Sequence, residues 1–169
     1  QAPAELYTAS LIIGATNVPD VLDITRVKPG TLIVDDSAPH CFNSEQAIQR
    51  FEKHGDILFT EGGTLKSPQP IRQISYLPQD LAGILNKYTP RDAFTITGCV
   101  LSGLLTAQFE NLKPTVGLVQ SDAAMQHYEK LHQLGFEAAD LHCDTYTLAD
   151  AAIQHFRRRF GNDTRGDTL

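Results

Sequence analysis

The chain has 169 residues, the size of one ordinary domain, with 41% hydrophobic and 20% charged residues, a composition that excludes a disordered or fibrous chain. A formal net charge of −6, with no lysine- or arginine-rich face, argues against a nucleic-acid partner; the one basic cluster, Arg157–Arg159, reads as a solvated helix end. No apolar run approaches the roughly 20 residues a membrane helix needs.

Three widely spaced cysteines, Cys41, Cys99 and Cys143, do not form a disulfide framework, and no signal peptide is present, so a reducing cytoplasmic setting is expected. The sequence begins at Gln1 and its one methionine is Met125, so it reads as a processed or excised piece of a longer protein.

In chain order, Ser10–Ala15 is a short apolar run ending in small residues and predicts a buried parallel strand. A turn at Thr16–Pro19 and a short helix or loop over Asp20–Ile24 follow. Lys28-Pro29-Gly30 is turn chemistry, and Thr31–Asp35 predicts the second strand. Ser44 is expected to cap a helix reaching about Lys53, with Ala47, Ile48 and Phe51 on one face. Ile57–Thr60 predicts a third strand, broken by Glu61-Gly62-Gly63. Strands alternating with covering connections define an α/β class with a parallel sheet. Beyond a proline-containing loop, helices are expected at Gln79–Lys87, Asp92–Glu110, Ser121–Leu134 and Thr147–Phe160, and then a polar tail. The expected division is residues 1–140 as one partial domain, with 141–169 as a C-terminal helix and tail.

The order of five features resembles the second half of Rossmann domains in shikimate- and amino-acid-dehydrogenase-like reductases, and most of all the long-chain acyl-carrier-protein reductases. Those features are a strand ending in Ala15-Thr16-Asn17, a strand ending in Asp35 with Pro39 nearby, the Gly62-Gly63 strand end, a helix carrying Cys99, and a closing Gly135-Phe136. The resemblance covers about residues 10–140. It implies a Rossmann-like fold, here the partial parallel sheet of the second mononucleotide half with a helical C-terminal region. It also implies NADP or NAD as cofactor, and a small-molecule or acyl-carrier substrate reduced at a carbonyl or thioester. In those reductases a cysteine placed as Cys99 is here accepts the acyl group. Asp36 and His40 stand where the reductases carry a glycine and a lysine. No G-x-G-x-x-G loop occurs in the sequence, so this chain would supply the nicotinamide side of the site without the pyrophosphate loop.

Ligands of open α/β sheets bind beyond the carboxyl ends of the strands. The expected cofactor-lining residues are therefore Gly14, Ala15, Thr16, Asn17, Asp35, Gly62 and Gly63, the small ones permitting close backbone approach. They could equally serve only as turn residues. Adjacent Asp35 and Asp36 should point to opposite sides of extended chain, one of them fixing the turn or accepting a hydrogen bond from ligand. Cys99 is the candidate nucleophile, with a packed mid-helix thiol as the competing reading. His40-Cys41 and His142-Cys143-Asp144 each set possible metal ligands side by side, yet neither has metal-ligand spacing, and no metal site is expected from sequence. The alternative function is a non-catalytic Rossmann-derived module that binds a ligand or partner. An open parallel sheet would leave an edge and an apolar face uncovered, so the chain is expected to self-associate as a homo-oligomer.

Overall fold

Three parallel strands carry the first part of the chain: β1 (Leu11–Gly14), β2 (Thr31–Asp35) and β3 (Ile57–Glu61), in the spatial order β1-β2-β3. The register sets Gly14 beside Asp35 and Asp35 beside Glu61, so the carboxyl ends of the strands lie level. The computed structural model describes residues 2–72, 92–114 and 116–161. Among these residues the protein is mixed α/β, with one three-stranded parallel sheet and four α-helices.

The chain forms two compact units, one of residues 1–62 with 140–169 and the other of residues 63–139. Residues 140–169 thus join residues 1–62 in one unit.

In the first unit β1 reaches β2 through a 3-10 turn at Ile24–Arg26, where Asp23 accepts the Thr25 amide. Helix α1 (Ser44–His54) crosses from β2 to β3. Its cap is Asn43, whose side chain accepts the Gln46 N–H at 3.0 Å, and Ser44 becomes the first helical residue instead of the cap. Gly55, at φ 55°, ends the helix.

The hairpin of β7 (His142–Cys143) and β8 (Tyr146–Thr147) packs beside β3, with the His142 N–H donated to Thr60 Oγ1 at 3.2 Å. Helix α4 (Asp150–Phe160) closes the unit. The helix expected from Thr147 starts three residues later, because β-branched Thr147 pairs with His142 across the hairpin.

Alternation along the strands buries Ile12 and Ile33 together with Phe42, Phe51, Phe59, Cys143, Leu148 and Phe156 in one core. The opposite face differs from the two-sided burial expected of a parallel sheet: Leu11, Ile13 and Leu32 are 54%, 68% and 41% exposed. The exposure is confined to β1 and β2, whereas Ile57, Leu58 and Phe59 of β3 are all buried, on both faces of that strand.

In the second unit β4 (Thr64–Lys66) lies between β5 (Thr95–Thr97) and β6 (Glu137–Ala138), antiparallel to both. Helix α2 (Gly98–Gln108) starts directly after β5, and α3 (Ser121–Gln133) ends before Gly135, which turns the chain at φ 80°. The single helix expected over Asp92–Glu110 is thus a strand followed by a helix: Thr95-Ile96-Thr97 is β-branched throughout and pairs with β4. The helix expected at Gln79–Lys87 lies outside the described residues. No helix among the described residues is long and apolar enough to cross a membrane.

Beneath α1, Arg50 forms a two-pronged ion pair with Asp56 (3.0 and 2.8 Å) and also donates to the Ile24 carbonyl. Burial alone would raise the Asp56 pKa, but the Arg50 hydrogen bonds and charge, helped by His54, hold it below the ordinary carboxylate value. A lowered folded-state pKa contributes stability above the unfolded value of about 3.9, which is lost as pH falls through the folded value. Urea unfolding followed into acid should show this loss in the wild type and a shallower one in Asp56→Asn. Parallel acid profiles for the two proteins would show that the pair adds nothing to stability.

Candidate functional site

Asp35, the last residue of β2, is the centre of the polar cluster at the carboxyl edge of the sheet. Its side chain is fully buried. One carboxylate oxygen accepts the Ser37 N–H at 3.2 Å; the other accepts the Cys41 N–H and a ring nitrogen of His40, both at 3.0 Å. Burial works against the charged form, yet these hydrogen bonds outweigh it and keep the carboxyl below its ordinary pKa.

An ionised carboxylate only accepts, so His40 Nδ1 carries the proton shared with Asp35, and Nε2 faces the other way. The segment is pinned from below, where the Leu22 N–H donates to the Cys41 carbonyl at 2.8 Å. The His40 ring also stacks on Phe42, with centroids 5.8 Å apart.

Three groups surround His40 Nε2. Glu61 Oε1, from the end of β3, and Asp144 Oδ1, from the β7–β8 turn, each lie at 3.5 Å, and Cys143 Sγ lies at 3.9 Å. Asp144 adopts φ 52°, a left-handed conformation that aspartate tolerates in a tight turn, and its N–H donates to Glu61 Oε1. Glu61 Oε2 faces His142 Nε2 at 3.6 Å. Burial would lower the His40 pKa, but the Asp35 hydrogen bond and the charges of Asp144, Glu61 and Asp35 raise it, so the site favours positive charge at Nε2. Cys143 is fully buried, and burial with the same carboxylates pushes its thiol up to about 12. Cys41 is likewise raised to about 12 by burial and by Asp35.

The strand-end residues named from sequence divide into two groups. Gly14 is required by its neighbours: a Cβ there would come 2.5 Å from Asp35 Oδ1 and 2.6 Å from Cys41 Sγ. Asp35 spends both oxygens on its own loop, and Asp36 is exposed. Ala15 and Asn17 are exposed, whereas Thr16 is half-buried, donates its N–H to Ser37 Oγ and accepts the Val18 N–H. Gly62 is half-buried against Asp36 and Val34, and Gly63 takes φ 75°.

Cys99 is not a mid-helix residue. It is exposed in the first turn of α2, and its Sγ lies 3.5 Å from Thr97 Oγ1. The thiol is thus open to solvent, one residue after Gly98, whose N–H donates to the Gly63 carbonyl at 2.6 Å.

The metal-ligand pairs set aside for their spacing meet in space: His40 from one pair joins Cys143 and Asp144 from the other, across 103 residues of sequence. Glu61 was not singled out as a ligand, although a carboxylate ending β3 level with Asp35 was a readable signal. His127 and His132 stay apart: His127 donates to the Lys113 carbonyl at 3.0 Å, and His132 bonds Tyr128. Comparison of the chain with protein-family models, curated proteins and solved structures finds no match.

Proposed function

We propose that this chain is the nicotinamide-facing half of a Rossmann-like NAD(P)-dependent reductase, acting on an acyl thioester or related carbonyl, with Cys99 as acyl acceptor. The observation that carries this reading is the exposed Cys99 thiol in the first turn of α2, where an acyl group can reach it from solvent. The parallel order β1-β2-β3, with small residues beyond the strand ends, supports it. Ala15 and Asn17 offer exposed small and amide groups to a flat ring and a ribose. NADPH or NADH, when bound, supplies the hydride.

Cys99 Sγ attacks the acyl carbonyl, the bond from the acyl carbon to the carrier's sulfur breaks, and the Cys99 thiol proton passes to the departing carrier sulfur. Reduction of the new thioester by hydride breaks its bond to Cys99 and yields an aldehyde, and the released Cys99 sulfur takes a proton from solvent.

Incubation with a long-chain acyl thioester and mass analysis tests the role of Cys99. A covalent acyl adduct is expected on Cys99 and is absent from Cys99→Ala, while buried Cys41 and Cys143 remain unmodified. Calorimetry with NADH and NADPH provides the second measurement. Neither adduct nor cofactor binding would sink the reductase reading and favour a non-catalytic binding module.

A further inference from the structure

We infer that the carboxyl edge of the parallel sheet holds a zinc-type divalent cation, with His40 Nε2, Cys143 Sγ and Asp144 Oδ1 as ligands and Glu61 beside the fourth position. Zinc bound tetrahedrally at about 2.0–2.1 Å from nitrogen or oxygen and about 2.3 Å from sulfur sets its donors roughly 3.3–3.7 Å apart. The nitrogen here lies 3.5 Å from Asp144 Oδ1 and 3.9 Å from Cys143 Sγ, and all three donor atoms fall within 4.8 Å of one another. The two edges from His40 are therefore nearly in place, and the third, between Cys143 Sγ and Asp144, closes by at most about 1.5 Å.

The surroundings of the histidine are those of a metal ligand. Asp35, fully buried, accepts the Nδ1–H hydrogen bond, fixes the tautomer and aims Nε2 at the other donors, the carboxylate–histidine arrangement that orients imidazole toward a metal. A histidine–carboxylate pair serving structure alone needs no sulfur facing its free nitrogen, whereas Cys143 supplies one from a hairpin 103 residues away. A mixed nitrogen, sulfur and oxygen set selects a borderline cation such as zinc or cobalt(II) over magnesium or calcium, which prefer oxygen alone. Access is from the Asp144 side, where that side chain is 61% exposed and His40 22% exposed. Glu61, with Oε1 at 3.5 Å from the same nitrogen, closes the remaining direction or holds a metal-bound water there. Binding forms metal–nitrogen, metal–sulfur and metal–oxygen bonds and releases the Cys143 thiol proton to solvent.

Cobalt(II) titration of the chelator-stripped chain, read by absorption, tests this without any nicotinamide cofactor, so its result is separate from that of the reductase reading. One equivalent should bind and produce a thiolate-to-cobalt charge-transfer band, which zinc abolishes on displacing cobalt. The band should persist when Cys99 and Cys41 are replaced (Cys99→Ser with Cys41→Ala) and vanish in Cys143→Ser. Asp35→Asn should weaken binding by about 10–100-fold, and exposed Asp144→Asn should weaken it without touching the core. Should Cys143→Ser fail to fold, the variant retaining Cys143 as its sole thiol still decides whether the band comes from that sulfur. Absence of the band from the wild type, its loss with Cys99 and Cys41, or affinity unmoved by both aspartate variants would overturn the assignment.

Discussion

Phe59→Ala is expected to destabilise the first unit by about 3–5 kcal/mol, the usual cost of truncating a buried phenylalanine. Phe59 stands in the middle of β3 and is 1% exposed. Its ring meets Phe42 and Phe51 edge-on, each at a centroid distance of 5.9 Å. Phe42 belongs to the segment that carries His40, and Phe51 belongs to α1, so one ring joins the strand, the helix and the loop of the polar cluster. The cavity left by alanine cannot collapse easily, because β3 is fixed by pairing with β2 on one side and by the β7 hairpin on the other. Urea unfolding followed by far-ultraviolet circular dichroism should show the midpoint shifted with the slope of its transition unchanged. A loss below about 1 kcal/mol would mean that the three rings do not form a tightly packed core.

Asp35→Ala should be nearly as costly, about 3–5 kcal/mol, for a different reason. The substitution strips the acceptor from the Ser37 and Cys41 amides and from His40 Nδ1, and the buried Cys41 N–H loses its partner. Removing one partner of a buried charged network costs far more than the net strength of its bonds. Asp35→Asn keeps the volume and one acceptor oxygen and should cost less than the alanine variant. Its amide can, however, set a donor against the histidine proton, so the His40 ring should lose its fixed orientation. Nitrogen-15 NMR of the imidazole would show this as a change in tautomer populations. Equal stability of the wild type and Asp35→Ala would mean that solvent reaches this carboxylate.

The three parallel strands and α1 were legible because their signals are local: apolar runs of strand length, turn chemistry before β2, and a helical face of Ala47 and Phe51. The errors came where tertiary pairing overrode a helical pattern. Thr95–Thr97 reads as part of a helix until β4 lies beside it, and Thr147 does the same until it pairs with His142. At the site, residues within one strand end could be grouped from sequence, but the approach of Cys143 and Asp144 to His40 could not. Nothing near residue 143 records that its hairpin will pack on β3, since that contact depends on the whole intervening unit being bypassed. Gly14 was legible as a small residue required at a strand end; that its neighbours Asp35 and Cys41 require it was not.

The first unit is interrupted, leaving at residue 62 and resuming at residue 140. During synthesis, β1, β2, β3 and α1 are all made before any of β7, β8 or α4. The nascent sheet must therefore wait, with Phe59 and its neighbours lacking the cover of Cys143, Leu148 and Phe156, while residues 63–139 are translated. At about 5–20 residues per second that interval lasts seconds, far longer than a helix or hairpin takes to form. Chaperone capture on the ribosome should fall in this window, and it should close when α4 emerges.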